Sequence, residues 1–389
     1  MGSFANDTRP MTPGLTRRSL GLAATAMLAA PSLARAADGT IRIGVVSTAT
    51  GAAAEIGKLG LNGARQALDE VNARGVLGRK LELVTEDDQT TNPGAVLAFS
   101  RLASQADIVA VLGPPRSTQV QAISPDVQKA GRPVLFGGTD PSLTQQGNRW
   151  LFRCRPSDLY SAKVIAEFGA VDLKRQKWAI VHSTDTFGSN GSKTLLGALD
   201  ALGIKPVLLQ GYTNQAADYT AVVLAIRQSG ADVIASYFTL ETDLGIFARQ
   251  LRQLGVTIPW IGTPSIVSTS AMNLAGRALH GTYGVADYAL DASPASRAFG
   301  ERYQALYKSL PDLQSAWTFD AVHLIARAIT DAGSTEPEAV RAALVAVRGH
   351  QGAEGEYNFD DKGDGLRGYN VVKNEDGKIV FNRRIELKG

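Results

Sequence analysis

Two short stretches carry the side chains best suited to holding a small anion. Gly113-Pro114-Pro115-Arg116-Ser117-Thr118 and Gly137-Gly138-Thr139-Asp140-Pro141 each end a short apolar run, at 108–113 and 134–136. Hydroxyls beside free backbone N–H groups at a helix start form a receptor for a carboxylate, because the helix dipole adds partial positive charge there. The same residues also have an ordinary use. Ser117 and Asp140 are of the types that cap helices, and Arg116 equally suits a solvated surface.

Other chemistry finds little support. There is no His-Glu-x-x-His and no Cys-x-x-Cys, and the four histidines, His182, His280, His323 and His350, are scattered without ligand spacing, so no metal is expected. Gly188-Ser189-Asn190-Gly191-Ser192-Lys193-Thr194 has two residues, not four, between its glycines and one extra before the lysine, which suits a helix start better than a phosphate loop. Gly57, Gly60 and Gly63 lack the Gly-x-Gly-x-x-Gly spacing of a dinucleotide site, and no Gly-x-Ser-x-Gly elbow occurs. No nucleophile stands beside a base. The expectation is a binding protein with no catalytic residue and no cofactor.

The elements that must position the two stretches are those of a wound parallel sheet: short β-branched runs alternate with longer segments of helical period. A first set has strands at 41–47, 81–86, 108–113 and 134–136. Between them lie a helix around 61–72 with Leu61, Ala64, Leu68 and Val71 on one face, another opening at Asn92-Pro93 with Asn92 as cap, and a third starting after Ser117. A second set repeats the build with strands at 178–182, 206–211, 233–237 and 260–262. The chain is then helical over 294–332 and 338–347, and ends in alternating segments at 355–360, 369–372 and 378–381 with turns at 363–365 and 375–377. Fold class is α/β, two parallel sheets wound with helices, and ligands of such sheets collect at the carboxyl ends of the strands.

Residues 1–36 differ from the rest. A basic stretch ending Thr16-Arg17-Arg18-Ser19-Leu20 precedes an alanine-rich apolar run and then Ala34-Arg35-Ala36, the pattern of a twin-arginine export signal cut after Ala36. The apolar run is shorter than the ~20 residues a membrane span requires, and no cysteine follows it for a lipid. The leader carries positive charge equal to the full chain's +3, so the remainder is near neutral and gives no electrostatic reason to expect nucleic acid. Cys154 is the single cysteine, which excludes an intramolecular disulfide. What remains after the leader suits two domains of roughly 100–200 residues.

From Ile41 to the C-terminus the chain resembles the type I periplasmic binding proteins, in the branch of the leucine, isoleucine and valine binding proteins. The resemblance rests on ordered phrases: 41–46 (IRIGVV), Asn62-Gly63-Ala64-Arg65, 77–83 (LGRKLEL), Asp87-Asp88, 139–144 (TDPSLT), Phe187-Gly188, Asp218-Tyr219-Thr220 and Asp320-Ala321-Val322. It implies two lobes joined by three crossings, expected near 156–159, 286–289 and 360–368. It places 37–157 with 288–362 in an N-terminal lobe and 158–287 with 363–389 in a C-terminal one.

The resemblance further implies a monomeric, periplasmic solute-binding component of an ABC importer, with a membrane permease as partner and a small carboxylate-bearing ligand in the cleft. By position, Ser117 and Thr139 resemble the hydroxyls that hold the ligand carboxylate, with Thr118 and the Gly137 backbone beside them. Phe187 stands where a closing tyrosine is often found, Tyr237 to Thr239 matches a pocket-lining strand end, and Tyr160 follows the first crossing; each aromatic equally suits lobe packing. The acid that grips a ligand ammonium in amino-acid binders falls at or near Pro264, and Ile56 replaces an aromatic. The expected ligand is therefore an organic or aromatic acid, with Arg116 as a charge partner, or a branched-chain amino acid with Asp158 or Asp287 in place of that acid. A sensory ligand-binding module and a periplasmic enzyme are the competing readings.

Overall fold

The computed structural model describes residues 1–2 and 39–387; the expected twin-arginine signal, from residue 3 on, and the expected cut after Ala36 lie outside the described residues. The first five strands are β1 (Ile41–Ser47), β2 (Leu81–Asp87), β3 (Ile108–Leu112), β4 (Val134–Phe136) and β5 (Leu151–Arg153). Between them run α1 (Ala54–Arg74), α2 (Asn92–Ala103), α3 (Ser117–Ala130) and α4 (Ser142–Gln145). The five strands pair in parallel in the order β2-β1-β3-β4-β5. β3 and β4 are buried along their whole length, as a sheet covered by helices on both faces requires.

The chain then enters α5 (Asp158–Glu167) and a second sheet: β6 (Trp178–Ser183), α6 (Thr186–Asp200), β7 (Leu208–Tyr212), α7 (Thr220–Ser229), β8 (Val233–Tyr237), α8 (Glu241–Gln253), β9 (Trp260–Gly262), α9 (Thr269–Ala275) and β10 (Tyr283–Ala286). It returns to the first lobe as α10 (Pro294–Tyr307), α11 (Leu313–Ala332) and α12 (Pro337–Ala346), where α11 lies along α1. A two-stranded ribbon, β11 (His350–Gln351) with β12 (Glu356–Tyr357), precedes a final hairpin, β13 (Gly368–Glu375) and β14 (Lys378–Glu386). That hairpin joins the second sheet antiparallel, giving the order β14-β13-β10-β9-β8-β6-β7. Each sheet has apolar cores on both faces, so each lobe is a three-layer α/β body. Three stretches of chain connect the lobes: after β5, after β10 and before β13.

Several elements depart from the sequence expectation for identifiable reasons. The fifth strand, β5, is not expected from its pattern, because Leu151-Phe152-Arg153 offers only two apolar residues before an arginine, too short a run to read as a strand. The stretch 294–332 is two helices: Lys308 turns left-handed at φ 55°, and Asp312 opens α11 by accepting N–H bonds from Gln314 and Ser315 while the Ser315 hydroxyl reaches back to Asp312. Thr91 caps α2, not Asn92, its hydroxyl accepting from the Gly94 N–H. α1 begins near Ala54, well before the expected 61, and strand pairing in β7 starts at Leu208, beyond Pro206, which has no N–H to give. Only Glu356–Tyr357 of the expected strand 355–360 pairs.

The early start of α1 brings Gly57 against β1's exit. A Cβ at Gly57 would lie 1.8 Å from the Thr48 carbonyl oxygen, so the backbone itself would have to move. Gly57→Ala is expected to lower the unfolding free energy by about 1–3 kcal/mol, read as the midpoint of urea unfolding.

Candidate functional site

Two sets of strand ends face one another across a narrow cleft of about 50 Å³, well below the roughly 300–1,000 Å³ of ordinary ligand pockets, so the two lobes stand nearly shut. The first lobe contributes Ile56 after β1, Pro115 to Ser117 after β3, Gly137 to Thr139 after β4 and Arg155 after β5. The second contributes Phe187 at the start of α6, Phe238, Thr239 and Glu241 after β8, and Ser265 after β9; Gln314 reaches in from α11. Every one of the strand-end segments follows a carboxyl end, where loops and helix N-termini converge.

Ser117 is the first residue of α3 and does not cap it; Arg116 is the capping residue and makes no side-chain cap bond. Instead the Ser117 Oγ accepts the backbone N–H groups of Thr139 at 3.1 Å and Asp140 at 3.2 Å, stapling the two loops together. With both lone pairs engaged, the hydroxyl proton is left to donate. Thr139 differs. Its Oγ1 donates to Asp158 Oδ2 at 2.8 Å, directing its proton away from the cleft while Asp158 is ionised.

Beneath the loop sit two arginines that the strand period places on one side of the chain. Arg153 donates to the Gly138 carbonyl at 2.8 Å and to Asp364 at 2.7 Å; Arg155 donates to the Gly137 carbonyl at 3.1 Å and pairs with Asp287. Gly137 N–H in turn donates to the Pro114 carbonyl. The Gly137 backbone is thus occupied in both directions and lines the cleft without a bond to offer. Any Cβ there would meet the Trp317 ring at 2.9 Å, which explains the glycine.

Two of the acids expected as charge partners lie behind the lining. Asp158 is fully buried and bonded to Thr139 and Ser161; burial pushes its carboxyl up to about 6, against the lowering effect of those two bonds and of Arg153 and Arg155. Asp287 is also fully buried, against Arg155. Arg116, by contrast, is in the cleft and only 8% exposed. Its Nη2 lies 3.4 Å from Glu241 Oε2 of the opposite lobe, while its Nε and Nη1 have no partner among the described residues.

The structure therefore brings together Arg116, Ser117, Gly137, Thr139, Phe187 and Thr239, and leaves out Thr118, Tyr160, Tyr237, Asp158 and Asp287. Tyr237 is fully buried behind Phe187, ring centroids 5.8 Å apart, and half-buried Tyr160 packs in the second lobe's core. Pro264, where a ligand-gripping acid was expected to be missing, is buried beside the cleft residue Ser265. Glu241, Arg155, Phe238, Ser265 and Gln314 were missed. Glu241 had a usable signal, an acid two residues beyond Thr239 opening a helix, but such acids ordinarily answer the helix dipole. A larger groove, about 950 Å³, runs along α5 and α6. It is mostly apolar, and no buried side chain lacking a bond lines it among the described residues.

Comparison with known proteins agrees with this architecture. A family model described as periplasmic binding protein matches residues 40–378. An amino acid binding protein of Pseudomonas aeruginosa is 30% identical over 88% of this chain and 92% of its own length. A leucine binding protein of Thermotoga maritima superposes with TM-score 0.84 at 23% identity, over 89% of this chain and 99% of its own. A solute binding protein of R. palustris in complex with benzoate superposes with TM-score 0.81 at 17% identity, over 89% and 96%. With its two wound sheets and the family match over most of its length, the chain belongs to the periplasmic binding proteins, solute binders and not enzymes.

Proposed function

We propose that this protein is the substrate-binding component of an ABC importer, taking a small carboxylate-bearing solute into the cleft and presenting it to a membrane permease. The reading is supported above all by the Ser117 hydroxyl: it is 2% exposed, held by two backbone donors, and has its proton free at the junction of both lobes. The ligand carboxylate accepts a hydrogen bond from that hydroxyl, and the second lobe swings over it by rotation about the three connecting stretches. Contacts completed only when Phe187, Thr239 and Glu241 meet the first lobe supply the affinity. Lobe-to-lobe hydrogen bonds of the kind made by Asn190 to Asp140, at 2.5 Å, and Thr186 to Gln121, at 2.8 Å, hold the closed form.

Titration calorimetry against branched-chain amino acids, aromatic acids and short aliphatic acids tests the proposal, since a true ligand also raises the melting temperature by mass action. Ser117→Ala is expected to weaken the best ligand by about 1–3 kcal/mol, because a charged group loses its hydrogen bond. Absence of binding by any carboxylate, or unchanged affinity in Ser117→Ala, moves the site elsewhere.

A further inference from the structure

A second pocket, of about 330 Å³, lies beside the connection that follows β10, and its size falls within the roughly 300–1,000 Å³ of ordinary ligand sites. Its walls are mostly apolar and come from both lobes: Val267 and Met272 around the start of α9, Ala286 and Ala289 in the connection, and Leu310 and Leu313 where α10 gives way to α11. It shares no lining residue with the cleft. α11 touches both, the cleft through Gln314 and the pocket through Asp312.

Asp312 is the one lining residue with a buried side-chain atom that bonds to nothing among the described residues. It is 5% exposed, and its Oδ1 accepts the N–H groups of Gln314 and Ser315 that open α11, while Oδ2 is left bare. Burial pushes the carboxyl up to about 6 against those two N–H groups; the Glu241 charge adds to the rise, and the Thr269 N–H of the other lobe opposes it. Lys378 stands at the rim, is exposed, and makes no ion pair with Asp312 among the described residues. A carboxylate oxygen without a donor in an apolar cavity carries the full penalty of its lost hydration.

We infer that this pocket is a second ligand site, for a small apolar amine: the ammonium donates to Asp312 Oδ2, and the hydrocarbon fills the space between α9 and the turn joining α10 to α11. Charge and shape carry it. An anion would meet Asp312 with the Glu241 charge behind it. A metal ion would find a single carboxylate, where calcium takes roughly six to eight oxygens. A neutral alcohol makes the hydrogen bond but leaves the buried charge uncompensated. Because the walls belong to both lobes, an occupant favours their shut arrangement.

The test is calorimetry on benzylamine and benzyl alcohol, which differ in one donor group, titrated into the full chain at about pH 8, above the Asp312 value and below the roughly 10.4 of an alkylammonium. Benzylamine should bind with a Kd of about 1 mM or tighter, and the alcohol at least about tenfold more weakly. Asp312→Asn keeps an oxygen to accept the α11 N–H groups; it should lose about tenfold for the amine and bring the two probes level. Ala289→Leu, which fills the pocket and leaves the acid in place, should weaken both probes. Melting temperatures without probe report that each variant folds. No amine binding at about 10 mM, equal binding of the two probes by the wild-type protein, or amine binding that survives both variants overturns the site. Each of these leaves the carboxylate reading of the cleft standing.

Discussion

Asp287→Ala is expected to lower the unfolding free energy by about 3–5 kcal/mol. The carboxylate is fully buried where the chain leaves β10, and its partner, Arg155, follows β5. The pair therefore ties the first connection between the lobes to the second. Removing the acid leaves a guanidinium that is 8% exposed with the Gly137 carbonyl as its remaining bond. Burial alone would lower the Arg155 pKa, but the adjacent Asp287 charge more than reverses that and keeps it protonated. Breaking one partner of such a pair is far more damaging than replacing both, since it strands a charge away from water. Arg155→Met with Asp287→Leu should accordingly recover much of the loss, as measured by urea unfolding of the two single variants and the double. If Asp287→Ala costs no more than the double replacement, the pair is not the tie proposed.

The same pair illustrates what the sequence discloses and what it conceals. β3 and β8 are legible because a strand buried on both faces must read as an unbroken apolar run, as Ile108-Val109-Ala110-Val111-Leu112 does. The loops bearing Ser117 and Thr139 are legible because parallel sheets gather ligands at strand ends. Arg116 and Glu241 are 125 residues apart, and Arg155 and Asp287 are 132 apart. No local pattern predicts that one pair faces a cavity and the other lies behind it. Asp158 and Asp287 were therefore reasonable charge partners by type, yet each is paired behind the lining, whereas Glu241 lies in the cleft against Arg116. Gln314 enters from a helix formed after the chain has crossed twice, and nothing in its surroundings marks it. Chemistry is local, while pairing depends on the finished topology.

The bond between Thr139 and Asp158 makes ligand affinity depend on pH. With Asp158 ionised, the Thr139 proton is held by Oδ2 and the hydroxyl can offer a ligand carboxylate only a repelling lone pair. With Asp158 protonated, the acid can donate to Thr139 Oγ1, and the hydroxyl proton turns to the ligand. The groups that face Asp158 are Ser161 on its own helix, Arg153 and Arg155 around β5, and the phenols of Tyr237 on β8 and Tyr369 on β13. Burial wins among them, and the carboxyl sits at about 6. Because that is above the ordinary aspartate value of roughly 3.9, its contribution to stability is complete below the unfolded value and is lost as pH rises through about 6. Binding follows the same sign, since a carboxylate ligand favours the protonated acid and stays ionised above roughly pH 4. Affinity is expected to rise about tenfold between pH 7.5 and pH 5, by calorimetry at fixed ionic strength. Asp158→Asn should flatten the profile at its tighter end, because the amide donates permanently to Thr139. A profile that persists unchanged in Asp158→Asn removes Thr139 from carboxylate binding.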